Sequence, residues 1–430
     1  MGPRLAALFV VGAALGSLVN WAIYTFAWHP RTISPWGPTP DNAGPRSWFD
    51  RLPVLGWFAL RREAAFHGRG FWLRPLLVEL GTGAAVAALY WWEVIELGLV
   101  RGQLPPAAVV PALPLHQEFV SHVLLLVLML AASFIDIDEK LIPDEITLPG
   151  TLLGLLLATT LPLSLLPHVE ERAAPPAVGI EVLPPVGDGG AWYLEPLTVI
   201  APHAWPPAWG KALTWPALAI ALGCFWLWCF ALTPRIWRGR QGTLRTLGII
   251  LARVRRELGR SPLREILVVG TVAIVAVWAL APEGNWAGLL TSLVGLAASG
   301  GIVWAVRLIG SAALRKEAMG FGDVTLMMMI GTFLGWQPGL ILFFLAPFAG
   351  LVIGLVQLVL RRDDVIPYGP FLCLAAAAVV VAWAPIWNWA QPLFGLGLLV
   401  PAVLVVCLAL LGVFLAIWAA FKRWLFGAGE

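Results

Sequence analysis

The sequence predicts an all-α, polytopic transmembrane helical protein, and three observations predict it. Of its 430 residues, 59% are hydrophobic and only 12% are charged, too little polar surface to cover a soluble core of that size. Mean hydropathy is +0.82. Apolar runs long enough to cross a bilayer as helices recur along the whole chain, giving about 11 expected spans. The runs are continuous rather than alternating, which excludes a closed β-barrel.

The expected spans lie near residues 4–28, 76–100, 117–135, 146–166, 213–233, 265–282, 287–310, 324–335 (a short one), 338–360, 371–389 and 396–420. In the first, Arg4 precedes an apolar run, as in a cleaved leader, but its continuation through Asn20, Trp21 and Tyr24 favours a retained helix. The four cysteines, Cys224, Cys229, Cys373 and Cys407, fall inside apolar runs with no CxxC pair. A disulfide framework and a thiolate zinc site are therefore not expected.

Arginine sets the sidedness. The connection 29–74 holds Arg31, Arg46, Arg51, Arg61, Arg62, Arg69 and Arg74, and 234–264 is richer still. The positive-inside rule makes both cytoplasmic. The N-terminus is then outside, and residues 136–145, 311–323, 361–370 and the Lys422-Arg423 tail fall inside, with Lys316, Arg361 and Arg362 agreeing. The Pro-rich stretch 167–212 falls outside. Segment 245–258 has apolar residues at helical spacing opposite arginines; it reads equally as a surface helix on anionic lipid or as an ordinary positive-inside anchor.

Two groups of carboxylates stand at the cytoplasmic boundary. Asp323 follows Gly320 and Gly322 at the start of an apolar run; the glycines permit irregular backbone, and taken alone Asp323 reads as the N-cap of a helix beginning at Val324. The second group is Asp136, Asp138, Glu139, Asp144 and Glu145. Asp144 after Pro143 reads as a helix N-cap, and Asp138 and Glu139 as solvated. Asp136 directly ends an apolar span, where a charge is costly without a purpose. Two carboxylates on one membrane face can approach each other and share a proton, so that one activates a water while the other protonates a leaving amine.

At these residues the sequence resembles the type IV prepilin peptidases. KEAMGFGDVTLM (316–327) is similar to their GxGD signature, IDIDEKLIPDEITLP (135–149) to their other aspartate segment, and VIPYGPFL (365–372) to a third element. Toward the N-terminus, GSLVN (16–20), WFDRLPVLGW (48–57) and RPLLVELGTG (74–83) resemble further family elements in the family's order. The resemblance implies catalytic aspartates at Asp136 and Asp323, with Gly320, Gly322 and Asp144 supporting them. It divides the chain into an N-terminal region (1–100), two halves of a peptidase core (117–166 and 287–390) and a C-terminal span with a basic tail (391–430). Between the halves lies an insertion (167–286) with a Pro-rich exterior loop, two spans and a basic cytoplasmic loop. Family members usually carry two CxxC pairs in the first cytoplasmic loop, but 29–74 contains no cysteine, so no metal is expected there.

The expectation is therefore a multi-pass enzyme of the bacterial inner membrane that removes basic leader peptides from prepilin-like substrates at the cytoplasmic face, in contact with lipid and with no nucleic-acid partner. Asp138, Glu139 and Glu145 are candidates to receive the leader. The peptidase needs no cofactor; S-adenosylmethionine would serve the N-methyl transfer that most of the family performs, which is left open. The alternatives are a GxGD protease with other membrane substrates and a transporter or assembly scaffold whose aspartates are proton relays or caps.

Overall fold

The computed structural model describes residues 2–40, 43–185, 190–202, 214–233, 263–314, 317, 319–359 and 367–426. The basic connection 234–262 with its amphipathic segment 245–258, residues 203–213, and Lys316, Arg361 and Arg362 lie outside the described residues. Helix α1 (Gly2–Phe26) leads through a connection with two short helices, α2 (Leu55–Leu60) and α3 (Ala64–His67), into α4 (Leu73–Tyr90), which continues as a π turn over Trp91–Ile95. Then come α5 (Ala112–Glu139), α6 (Asp144–Thr160), strands β1 (Pro167–Arg172), β2 (Ile180–Leu183) and β3 (Ala191–Pro196), and α7 (Trp215–Ala231). The second half holds α8 (Leu263–Leu280), α9 (Glu283–Leu314), α10 (Phe321–Leu334), α11 (Trp336–Val359), α12 (Gly369–Val381), α13 (Trp383–Phe394) and α14 (Leu399–Phe426).

The protein is an all-α polytopic membrane protein. Among the described residues seven helices are long and apolar enough to cross a bilayer, or eight if the bent pair α12–α13 is one span. The expected single span 371–389 is in fact broken by 93° between α12 and α13. Pro385 explains the break, because it has no N–H to give the Val381 carbonyl four residues earlier. The indole Nε1–H of Trp92 donates to that carbonyl instead, at 2.9 Å. The Pro-rich stretch after α6 folds in part as an antiparallel sheet in the order β1-β3-β2. It lies at the end of the bundle away from the last turn of α5.

At 14 residues, α10 is about 21 Å long, well short of a bilayer's hydrocarbon core. It has no need to face lipid, because every residue from Asp323 to Leu334 is buried within the protein. A helix enclosed on all sides is apolar all round, and the run VTLMMMI is the sequence mark of that position. Neighbouring helices reach it through glycines, as small residues allow between membrane helices. A Cβ on Gly295 of α9 would lie 2.2 Å from the Gly331 carbonyl oxygen, and one on Gly331 would lie 2.3 Å from the Gly295 carbonyl oxygen. Gly150 and Gly154 of α6 similarly leave room for Met329 and Thr332.

Three N-terminal motifs converge on one carboxylate. Glu79 of α4 accepts from Asn20 Nδ2 of α1 at 3.2 Å and from the Val54 backbone N–H at 2.5 Å. Asn20 also donates to the Pro75 carbonyl at 2.9 Å. Val54 adopts a positive φ of 63°, unfavourable for a β-branched residue; its bond to Glu79 helps to hold that conformation. Gly16 lets α1 close on the Glu79 backbone, since a Cβ there would come within 2.7 Å of the Glu79 Cα.

The cysteine-free connection 29–74 is held by ion pairs. Arg46 forks onto Glu63 (Nε–Oε1 3.0 Å, Nη2–Oε2 2.7 Å) and also donates to the Ser34 and Thr32 carbonyls. Arg62 forks onto Asp50 at 2.8 and 2.6 Å. Burial pushes the Asp50 carboxyl up, but hydrogen bonds from Arg62 and Ser47 outweigh it and leave the group below its ordinary range.

Two predictions follow from this packing. Gly295→Ala drives a methyl group into backbone and is expected to cost on the order of 3 kcal/mol. Gly301→Ala on the same helix points into open space and should leave stability level or raise it by up to ~1 kcal/mol. Thermal unfolding in detergent compares the two, and equal melting temperatures would refute the close-approach account. In the connection, Glu63→Gln leaves the buried Arg46 guanidinium without its counter-charge, a loss of about 3 kcal/mol. Amide exchange should then speed up across 31–67 while α10 stays protected.

Candidate active site

Asp136 and Asp323, 187 residues apart in sequence, meet at one end of the bundle. Asp136 occupies the last turn of α5, which ends when Lys140 turns left-handed (φ 56°) and donates its N–H to the Asp136 carbonyl at 2.8 Å. Asp323 occupies the first turn of α10. The two carboxylates are close enough for their charges to interact, and they are only 4% and 7% exposed. Asp136 Oδ2 is buried with no hydrogen-bond partner.

The third wall is the start of α12. The Gly369 backbone N–H faces the Asp136 carboxylate, and a Cβ on Gly369 would lie 2.5 Å from Asp136 Oδ2. Only glycine lets α12 come this near. Tyr368 lies within range of the Asp323 charge. Cys373, hydrogen-bonded to Ser133, lies within range of both aspartates; like the other three cysteines it is free. Ile142, from the link between α5 and α6, fills the space between the elements. A Cβ on Gly322 would meet Ile142 Cβ at 2.9 Å, and a Cβ on Gly369 would meet Ile142 Cδ1 at the same distance.

Several local expectations change. Helix α10 begins at Phe321 with Gly320 in the cap position, so Asp323 is not the N-cap. Neither Gly320 nor Gly322 has positive φ; Gly322 serves close approach to Ile142 rather than irregular backbone. At Gly320 a Cβ would make only ordinary contact, 3.6 Å from Asp323 Oδ2. Helix α6 starts at Asp144 itself, with Pro143 in the cap position and no side-chain cap. Asp144 and Glu145 are exposed at the rim.

Asp138 and Glu139 turn instead toward the N-terminal region. Arg74 Nη1 contacts both Asp138 carboxylate oxygens at 2.8 Å, with Arg31 at 3.9 Å. Glu139 accepts the backbone N–H groups of Trp28 and His29. These contacts dock the end of α1 and the start of α4 beside the aspartates. Sequence reasoning did not single out Ile142 or Gly369. Ile142 offers no chemical signal, but a glycine next to proline in VIPYGPFL could have been read as a point of close approach. The grouping with metal-ligand spacing among the described residues is His168, Glu170 and Glu195, at the other end of the bundle.

Known proteins match around this site. The model of the type IV leader peptidase family matches residues 123–180 and 263–355, which hold Asp136 and Asp323. Over those residues the chain resembles the type IV leader peptidase family. It is similar to the prepilin leader peptidase/N-methyltransferase of Myxococcus xanthus, with 29% identity over 158 residues, 36% of this chain and 41% of the relative. The protein of the same name from Aeromonas salmonicida is 30% identical over 118 residues, 24% of this chain and 40% of the relative. That from Legionella pneumophila is 36% identical over 77 residues, 17% of this chain and 27% of the relative. The chain thus spans about two fifths or less of the length of these relatives. No solved structure matches it.

The glycine wall of this candidate site can be tested directly. In Gly369→Ala the new methyl group displaces the Asp136 carboxylate, and a shift on the order of 1 Å in a reacting group costs about 100-fold in rate. Cleavage of a model prepilin in membranes should fall by that factor with the protein still inserted. Unchanged turnover would remove Gly369 from the site.

Proposed function

We propose that this protein is a membrane aspartyl endopeptidase that removes basic leader peptides from prepilin-like substrates, with Asp136 and Asp323 as its catalytic pair. The observation that carries the reading is the meeting of two buried carboxylates from distant parts of the chain at the ends of α5 and α10. The ionised member takes a proton from water as its oxygen attacks the scissile carbonyl. The protonated member gives its proton to the amine as the C–N bond breaks. Ile142, Gly322 and Gly369 position the pair.

The arginine-rich connection 29–74 lies at the same end of the bundle as the aspartates, which supports a cytoplasmic site in the bacterial inner membrane. A substrate with an apolar N-terminal helix suits that place, because the helix can lie in the bilayer and present its scissile bond at the boundary. With Asp138 and Glu139 held by groups of this chain, Asp144 and Glu145 are the exposed acids that remain to attract a basic leader. The relatives' names include N-methyltransferase. We extend that activity, with S-adenosylmethionine as methyl donor, to this chain as the second half of the proposal. The match to that family's model disfavours a transporter or scaffold.

The test is co-expression with a candidate prepilin and mass spectrometry of the product, which reads the cleavage position and the mass of one added methyl group together. Asp136→Asn and Asp323→Asn should each lower cleavage by several orders of magnitude, and the double variant should be hardly worse than either, as for residues acting as one unit. Asp138→Asn loosens the docking of α4 and should retain cleavage. If either catalytic Asn variant, stably inserted, works at more than about a tenth of the normal rate, the assignment fails.

A further inference from the structure

The sheet at the end of the bundle opposite the aspartates carries a second cluster of ionisable groups. His168 and Glu170 are two apart on β1 and share a face of the sheet. The β1–β3 register sets His168 directly opposite Glu195. One ligand atom from each of the three lies within 4.8 Å of the others. The cluster lines a cavity of about 390 Å³ bounded also by Thr198, Glu283 and Trp286. His168 is only 2% exposed, yet neither of its ring nitrogens has a hydrogen-bond partner. Buried polar atoms are nearly always partnered, so the imidazole points to a partner that is not a side chain.

We propose that His168, Glu170 and Glu195 form a binding site for a zinc-class divalent metal ion. One imidazole and two carboxylates suit zinc, whereas calcium and magnesium seek all-oxygen shells of six or more ligands. Bonds of about 2.0–2.2 Å to a tetrahedral ion place ligand atoms roughly 3.4 Å apart. His168 Nε2 and Glu170 Oε2 are already 3.7 Å apart. Three protein donors leave a fourth position open to the cavity, where a water completes the shell. The ion staples β1 to β3 beneath α13, whose Trp387 ring lies 6.2 Å from that of His168.

Arg172 holds the place of the ion. Its Nη2 lies 2.8 Å from Glu170 Oε2 and its Nε contacts Glu195, so it neutralises the two carboxylates but leaves the His168 ring nitrogens without a hydrogen bond. Its side chain is 40% exposed, and rotation into solvent removes its contacts with both acids. Arginine and metal therefore compete. This site lies far from the connection 29–74, where the lack of thiolates excludes the family's usual zinc ligands, and it rests on neither the peptidase nor the methyl-transfer reading.

The test uses the full chain in detergent, stripped with EDTA and titrated with Zn²⁺ against a chromophoric chelator. The expected result is one zinc per chain with an affinity on the order of micromolar or tighter. His168→Gln should weaken binding by more than about tenfold, and Arg172→Met should tighten it by about as much. If His168→Gln fails to fold, Glu170→Gln, at a half-buried position, is read in its place with the same expectation. Absence of stoichiometric zinc, binding unaltered by the ligand variants, or weaker binding in Arg172→Met would each overturn the proposal.

Discussion

The architecture depends on enclosing one short helix. Helix α10 cannot reach across a bilayer, and a 14-residue segment left in lipid would expose unsatisfied ends. It is stable only because longer helices surround it, and they can surround it only where their backbones come close. The paired glycines Gly295 and Gly331 set the distance on one side, and Gly150 and Gly154 set it on another. The placement of Asp323 follows from that packing. A carboxylate in the first turn of an enclosed helix is fixed in position, a condition that acid–base chemistry requires of it.

The second carboxylate is placed by helix ends rather than by helix faces. Helix α5 stops at Lys140, α10 starts at Phe321 and α12 starts at Gly369, so three termini share one small volume filled by Ile142. Chain ends can bring polar groups together at a membrane boundary without breaking hydrogen bonds inside a span. The insertion between the two halves respects this arrangement. Helices α7 and α8 pack antiparallel, with Trp215 against Trp278 and Trp226 bonded to Thr271, so the added pair starts and finishes at the end of the bundle opposite the site, and α9 still leads back to it.

Around the site, ion pairs replace other means of fastening. The first connection has no cysteine, and Arg46–Glu63 and Arg62–Asp50 hold it. Arg74–Asp138 then joins that region to the end of α5, two residues from Asp136. Forked arginine–carboxylate pairs fix orientation as well as distance. The N-terminal region is thereby bound to the aspartate pair by directional contacts, and not by apolar packing alone.

The helical membrane class, the two aspartates and the motifs around them were legible in the sequence, because each is written in local composition. Apolar runs record burial in lipid or protein, and a carboxylate beside such a run records a cost that needs a reason. Local composition does not record which apolar run is enclosed and which meets lipid, so the run at α10 read as a short span. It does not record the 93° turn at Pro385 either, since that depends on Trp92, far away in sequence, accepting the role of partner to the Val381 carbonyl. The conversion of Asp138 and Glu139 from solvated acids into docking groups likewise depended on arginine and backbone donors brought in from α1 and α4. His168, Glu170 and Glu195 showed no motif at all, because strand register alone set them side by side. Residue chemistry was determined by the sequence; which groups became neighbours was decided by the tertiary packing, because that depends on backbone distances between elements far apart along the chain.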